Sequence, residues 1–175
     1  KSIDVCFFNG AVRNEEQEYL AKLLRQKAKV LVAFGSCAHE GGIPGLANVA
    51  DRKELFDTVY LSSPSTVNPK GVVPQTRFKV PEGELKLPEF YDTVRTLNQV
   101  VDVDYYLPGC PPTPKRIFAA VDAIAKGTLP PKGSVLGPEK SVCDECPRKK
   151  EEKKISKIHR VYEMAPDPEK RLLAQ

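Results

Sequence analysis

Two cysteines of this sequence stand alone in glycine-bearing loops, and another two stand close together. Cys37 lies in Phe34-Gly35-Ser36-Cys37-Ala38, followed by Gly41-Gly42. Cys110 lies in Leu107-Pro108-Gly109-Cys110-Pro111-Pro112. Cys143-Asp144-Glu145-Cys146 offers two thiols at a spacing that lets both bind one metal or cluster. Thiolates are the usual ligands of iron–sulfur clusters, whose chemistry is electron transfer. Cys37, Cys110, Cys143 and Cys146 are therefore candidate cluster ligands, and the chain is a candidate electron conduit. As a ligand set they are incomplete. The expectation is that these 175 residues are part of a longer protein, with segments before Lys1 and after Gln175 missing.

Each cysteine also has a plainer reading. Free Cys is among the most buried residue types, so a lone Cys37 would pass for core packing. Two cysteines in the same kind of loop weigh against that. Cys6 sits inside an apolar run with no glycine and no loop, and reads as packing. The Cys143/Cys146 pair also fits half of a zinc site or a redox pair. Zinc needs two more Cys or His ligands, and only His39 and His159 exist, neither at a fitting spacing. Thioredoxin-like chemistry suits the pair poorly, because it lies in a charged tail and not at a βα junction. His39, two residues after Cys37, reads as a solvated loop histidine or as a hydrogen-bond partner of cluster sulfur. His159 reads as a surface residue.

The elements that must position these residues follow from periodicity and caps. Ile3 to Phe8 reads as a buried strand ending at Asn9-Gly10. Asn14 caps a helix, with Gln17 at the capping-box position and Glu15 and Glu16 in its first turn. Leu20, Leu23, Leu24 and Ala28 mark its apolar face. Val30 to Phe34 is a second apolar strand, and strand–helix–strand makes a parallel βαβ unit. Phe90 to Val101 reads as a helix and Val103 to Leu107 as a third strand. Thr113 and Pro114 open a helix that Gly127 ends, with Ile117, Phe118, Val121, Ile124 and Ala125 as its apolar face. Cys37 and Cys110 then follow strands directly, at the carboxyl edge where open α/β sheets place their ligands. The amides of Gly35 and Gly109 are expected to point at cluster sulfides.

Between these strands, about 41–89 is rich in Pro and Gly and reads as an irregular insertion, with only Lys53 to Phe56 helical. Long irregular insertions are usually functional or partner-bound. The expected organisation is a domain over 1–130 and a charged, cysteine-bearing extension over 131–175, too polar to fold alone. Net charge is +4 with signs interleaved, which argues against nucleic acid. The run Arg148 to Lys154 is a solvated or docking segment. No run of eighteen apolar residues exists, so membrane insertion is not expected. Five cysteines without a secretion signal argue against disulfides and for a reducing, cytoplasmic setting.

The segment GSCAHEGGIPGLAN (35–48), followed by YYLPGCPPTPKRIFAAVDAI (105–124), resembles the small subunit of [NiFe] hydrogenases and the related small cluster-binding subunit of respiratory complex I. SVCDECPRKK (141–150) and PDPEKRLLAQ (166–175) are most similar to the gamma-subunit branch found in the F420-non-reducing hydrogenase of methanogens, which works with heterodisulfide reductase. The resemblance implies an α/β, flavodoxin-like parallel sheet with flanking helices. It implies that Cys37 and Cys110, with two thiolates from an earlier Cys-x-x-Cys loop, hold a proximal [4Fe–4S] cluster. It places Cys143 and Cys146 near a second cluster, although Arg171 stands where a cysteine is expected. It implies an oxidoreductase subunit with no catalytic residue of its own. The implied partners are a nickel–iron large subunit, docked on 41–89, and an iron–sulfur adaptor subunit with heterodisulfide reductase. Other readings remain: a complex I-like subunit delivering electrons to quinone, a cluster-free flavodoxin-like binding module, and a zinc-stabilised interaction domain.

Overall fold

The structure is a computed structural model that describes residues 2–137 and 146–147. The chain runs β1 (Ile3–Asn9), β2 (Val12–Asn14), α1 (Glu15–Lys27), β3 (Ala28–Phe34), α2 (Ser36–Glu40) and α3 (Gly42–Gly45). A 3-10 turn at Leu46–Val49 leads to α4 (Arg52–Phe56), a π turn at Asp57–Ser62 and the strands β4 (Arg77–Val80) and β5 (Gly83–Lys86). There follow β6 (Phe90–Arg95), a 3-10 turn at Leu97–Gln99, β7 (Tyr105–Leu107) and α5 (Pro114–Lys126). Strands β1, β3 and β7 form a parallel sheet in that order.

Alternation along the central strand explains the layers. Leu31 and Ala33 face one way and pack with Val12, Ala21, Ala38 and Leu97, beneath α1 and α2. Val32, with Val30 and Phe34 beside it, faces the other way and packs with Tyr105, Leu107, Ala120 and Ile117 of α5. A strand covered on both faces needs a continuous apolar run, and residues 30–34 supply it. This is the expected α/β, flavodoxin-like arrangement of a parallel sheet with helices on its faces. Asn14 caps α1 as predicted: Gln17 N–H donates to Asn14 Oδ1 at 2.8 Å, and Asn14 N–H donates to Gln17 Oε1 at 3.2 Å. Cys6 packs at the edge of the α1-side core, where burial pushes its thiol up.

Three expectations are corrected. Phe90–Arg95 is strand β6, not the start of a helix, and pairs antiparallel with β2. Tertiary packing decides it. Phe90 takes the Arg13 guanidinium over its ring at 4.6 Å and packs on Phe56. Asn48 bonds both the N–H and the C=O of Val94, at 2.7 and 2.9 Å. Aromatic and β-branched residues suit a strand in any case. The insertion is also less irregular than expected, since it holds α3, α4 and a two-stranded hairpin of β4 and β5. Finally, Leu20, Phe118 and Val121 are exposed; α5 buries Ala120 and half-buries Ile117 instead.

Beyond Pro130-Pro131 the chain runs on beside β7. Tyr106 N–H donates to Ser134 C=O at 3.1 Å, and Leu136 N–H to Tyr106 C=O at 2.7 Å. Cys143, His159 and Arg171 lie outside the described residues, and Cys146 is exposed. No helix among the described residues is long and apolar enough to cross a membrane.

One buried carboxylate ties β3 to β7 at the amino end. Asp104 Oδ2 accepts from Leu31 N–H at 2.8 Å and from Arg25 Nη1 at 2.7 Å, while Oδ1 meets Lys132 Nζ at 2.6 Å. Burial alone pushes this carboxyl up, but bonds from Lys132, Arg25 and the Leu31 amide outweigh it and hold it down to about 2. The folded value is depressed, so its stabilisation is present above the ordinary carboxylate range and is lost as pH falls from about 4 towards 2. Asp104→Asn is expected to cost about 2 kcal/mol at pH 7. Urea melts should show that gap shrink to about a third by pH 2.5; an equal gap at both pH values would refute the assignment.

Candidate functional site

Phe34 of β3 pairs with Leu107 of β7, so both strands end at one level of the sheet. The two cysteine loops leave from there and are bonded to each other. Gly35 N–H donates to Leu107 C=O at 2.8 Å, and Ser36 N–H donates to Gly109 C=O at 2.8 Å. Gly109 N–H donates to Ser36 Oγ at 3.3 Å. Cys37, half-buried, lies in the first turn of α2, and Cys110, exposed, follows Gly109. Two cysteines far apart in sequence are thereby carried on neighbouring loops at one rim. The expectation that the Gly35 and Gly109 amides point at sulfur is overturned, because both are engaged in joining the loops.

Two glycines allow this packing. A Cβ on Gly42 would sit 3.0 Å from Cys37 Sγ and 3.1 Å from its Cα, and Gly42 has φ +51. The backbone at Gly42 thus lies directly against the Cys37 thiol. A Cβ on Gly109 would fall 2.5 Å from Pro112 Cα, at φ +141. Any side chain at either place forces the loop apart. His39 is not a solvated loop residue. Its ring packs on Tyr106 at 4.6 Å between centroids, and its Nδ1 is buried without a hydrogen bond.

The donor set can be tested against the group the sequence suggests. Among the described residues, no three His, Cys, Asp or Glu side chains gather as a metal site. The rim offers two thiols from loops joined by three hydrogen bonds. That fits two of the four thiolates of a cubane and falls short of a zinc site by itself. Cys6 belongs to the core and is not part of this rim. A glycine pair such as Gly41-Gly42 is the one sequence feature that could have pointed to the close approach at Gly42; no local pattern points to the bond from Gly109 to Ser36.

The insertion presents apolar surface. A groove of about 820 Å³ between α4 and the hairpin is lined by Leu55, Phe56, Tyr60, Leu87 and Phe90, with Arg52 at its side. Ile43, Leu46 and Val49 are exposed just after α2, and Val49 is 92% exposed. Phe78 and Leu85, paired across the hairpin, are exposed as well.

The family described as NADH ubiquinone oxidoreductase, 20 Kd subunit, matches residues 1–124. An iron-sulfur subunit of the F420-non-reducing hydrogenase of Archaeoglobus profundus is 47% identical over 180 residues, taking in 100% of this chain and 56% of that protein. A vhu subunit of the F420-non-reducing hydrogenase of Methanocaldococcus jannaschii is 41% identical over 175 residues, 100% of this chain and 55% of that protein. The chain spans about half the length of the curated relatives it matches. A chain in the crystal structure of an NAD+-reducing [NiFe]-hydrogenase in the H2-reduced state superposes with TM-score 0.64 at 32% identity, covering 74% of this chain and 67% of that one. The family match spans all three strands of the parallel sheet and both cysteine loops; the chain belongs to the oxidoreductase family of the NADH ubiquinone oxidoreductase 20 Kd subunit.

Proposed function

We propose that this chain is the electron-transfer small subunit of a [NiFe] hydrogenase, carrying electrons from a hydrogen-splitting large subunit to a downstream acceptor. The observation that carries the reading is the joining of the Cys37 and Cys110 loops at one rim. Its support from outside the chain is the set of hydrogenase subunits aligned along its whole length. Cys37 and Cys110 would hold a [4Fe–4S] cluster together with two thiolates from the rest of the complete protein. Such a cluster supplies one-electron redox chemistry and needs no acid, base or nucleophile from this chain. The chain's own residues hold the thiols in place, cover Cys37 with the Gly42 backbone, and leave Cys110 at the surface.

Cys143 and Cys146 are proposed to serve a second cluster, which at residue 171 meets arginine in place of a cysteine. An iron–sulfur adaptor subunit and heterodisulfide reductase are the proposed route outward, on the likeness of the tail to the methanogen branch. A cytoplasmic setting suits the four free thiols at Cys6, Cys37, Cys110 and Cys146. The insertion is the proposed docking face for the large subunit. Ten large apolar residues between Ile43 and Leu87 are exposed, among them Phe78 and Leu85 paired across one hairpin, and a partner's surface would cover them.

Cys110→Ala in the complete complex is expected to remove about four iron and four sulfide and abolish hydrogen-driven reduction of acceptors. Cys6→Val should leave both unchanged; iron loss only in the Cys6 variant would reverse the assignment. Gly42→Val should lower iron content, because its side chain meets Cys37 Sγ, and should also lower the unfolding temperature by several degrees, because a β-branched residue at φ +51 is strained; iron content equal to the parent's would refute the close approach. Phe78→Asp with Leu85→Asp should weaken capture of the large subunit by tenfold or more, read by co-purification, with circular dichroism unchanged.

A further inference from the structure

We propose that Ser36 is a positioning residue for the sulfur site, whose hydroxyl joins the two cysteine loops and donates its proton to sulfur held there. The proposal rests on the iron–sulfur reading above. A serine hydroxyl is one donor and two acceptor lone pairs. One lone pair of Ser36 Oγ accepts from Gly109 N–H at 3.3 Å. Among the described residues nothing accepts the proton of that hydroxyl. The side chain is half-buried, immediately before Cys37 and against the residue immediately before Cys110.

Three of the backbone amides around it are already engaged. The amides of Gly35, Ser36 and Gly109 donate to Leu107 C=O, Gly109 C=O and Ser36 Oγ. The two glycine amides therefore cannot fill the donor role expected of them, and the hydroxyl between the loops is free to do so. A bond donated to a sulfur of the site stabilises the extra negative charge of the reduced state, and so raises the reduction potential. By holding Gly109, the same hydroxyl also fixes where Cys110 begins.

The test compares Ser36→Ala and Ser36→Thr in the complete hydrogenase complex, by iron and sulfide analysis and by EPR-monitored redox titration with dithionite as reductant. The alanine variant should keep its iron and become about tenfold less reduced at a fixed potential, about 59 mV lower for a one-electron couple. The threonine variant, which keeps the hydroxyl, should return to the parent value. An unchanged potential and unchanged iron content in the alanine variant, or a threonine variant that departs from the parent as far as alanine does, would each overturn the Ser36 assignment. Absence of iron and of an EPR signal from the unsubstituted complex would instead overturn the iron–sulfur reading itself.

Discussion

The register between β3 and β7 is the constraint on which the rest depends. These strands are distant in sequence and paired over only three residues, Val32 with Tyr105 through Phe34 with Leu107. A slip of one residue would turn every side chain to the opposite face and separate the two loops. Three pairs are few to hold such a register, and both ends are reinforced. At the amino end Asp104 exchanges two bonds with Leu31, its carboxylate taking the amide at 2.8 Å and its own N–H reaching Leu31 C=O at 2.9 Å. At the carboxyl end Gly35, Ser36 and Gly109 close the pair.

The two ends differ in chemistry for a physical reason. The amino end is held by charge: a carboxylate between Arg25 and Lys132, with the Leu31 amide supplying the third bond. Such a group suits a place where nothing is to be bound. The carboxyl end is held by neutral bonds alone, through backbone and one hydroxyl. On the proposed function the rim would gather negative charge, and a fixed carboxylate beside it would oppose reduction. Keeping the strong electrostatic clamp at the far end of a short sheet gives rigidity at the rim without that cost.

Much of this was legible in the residues. Strands Ile3 to Phe8 and Val30 to Phe34 are continuous apolar runs, and Asn14 with Gln17 writes out a capping box. Cys37 and Cys110 could be placed at one edge because each follows a strand directly. The features that were not legible depend on contacts between distant segments. Phe90 to Arg95 carries both a helical spacing of Val94 and Leu97 and a strand composition, and only the meeting with β2 and Asn48 decides between them. The hairpin strands do alternate, as Phe78 and Val80 or Leu85 and Leu87, but the surrounding prolines masked that signal. The Gly109–Ser36 bond spans 73 positions, and no local pattern encodes it.

The place of the insertion in the chain follows from the same geometry. It leaves the sheet just after Cys37 and returns through β6 before β7 and Cys110. Its start is tied to β6 through Asn48, and its end to the beginning of α1, where Glu89 C=O accepts from Glu15 N–H. A partner docked on the insertion, as proposed above, would lie against a segment tied to the rest of the chain at both its ends. Its hairpin stands as a sheet of two strands, exposed on nearly every residue, and a lone hairpin is marginal in water. Such an element gains its stability from what covers it, so a partner that buries Phe78 and Leu85 would also steady the hairpin.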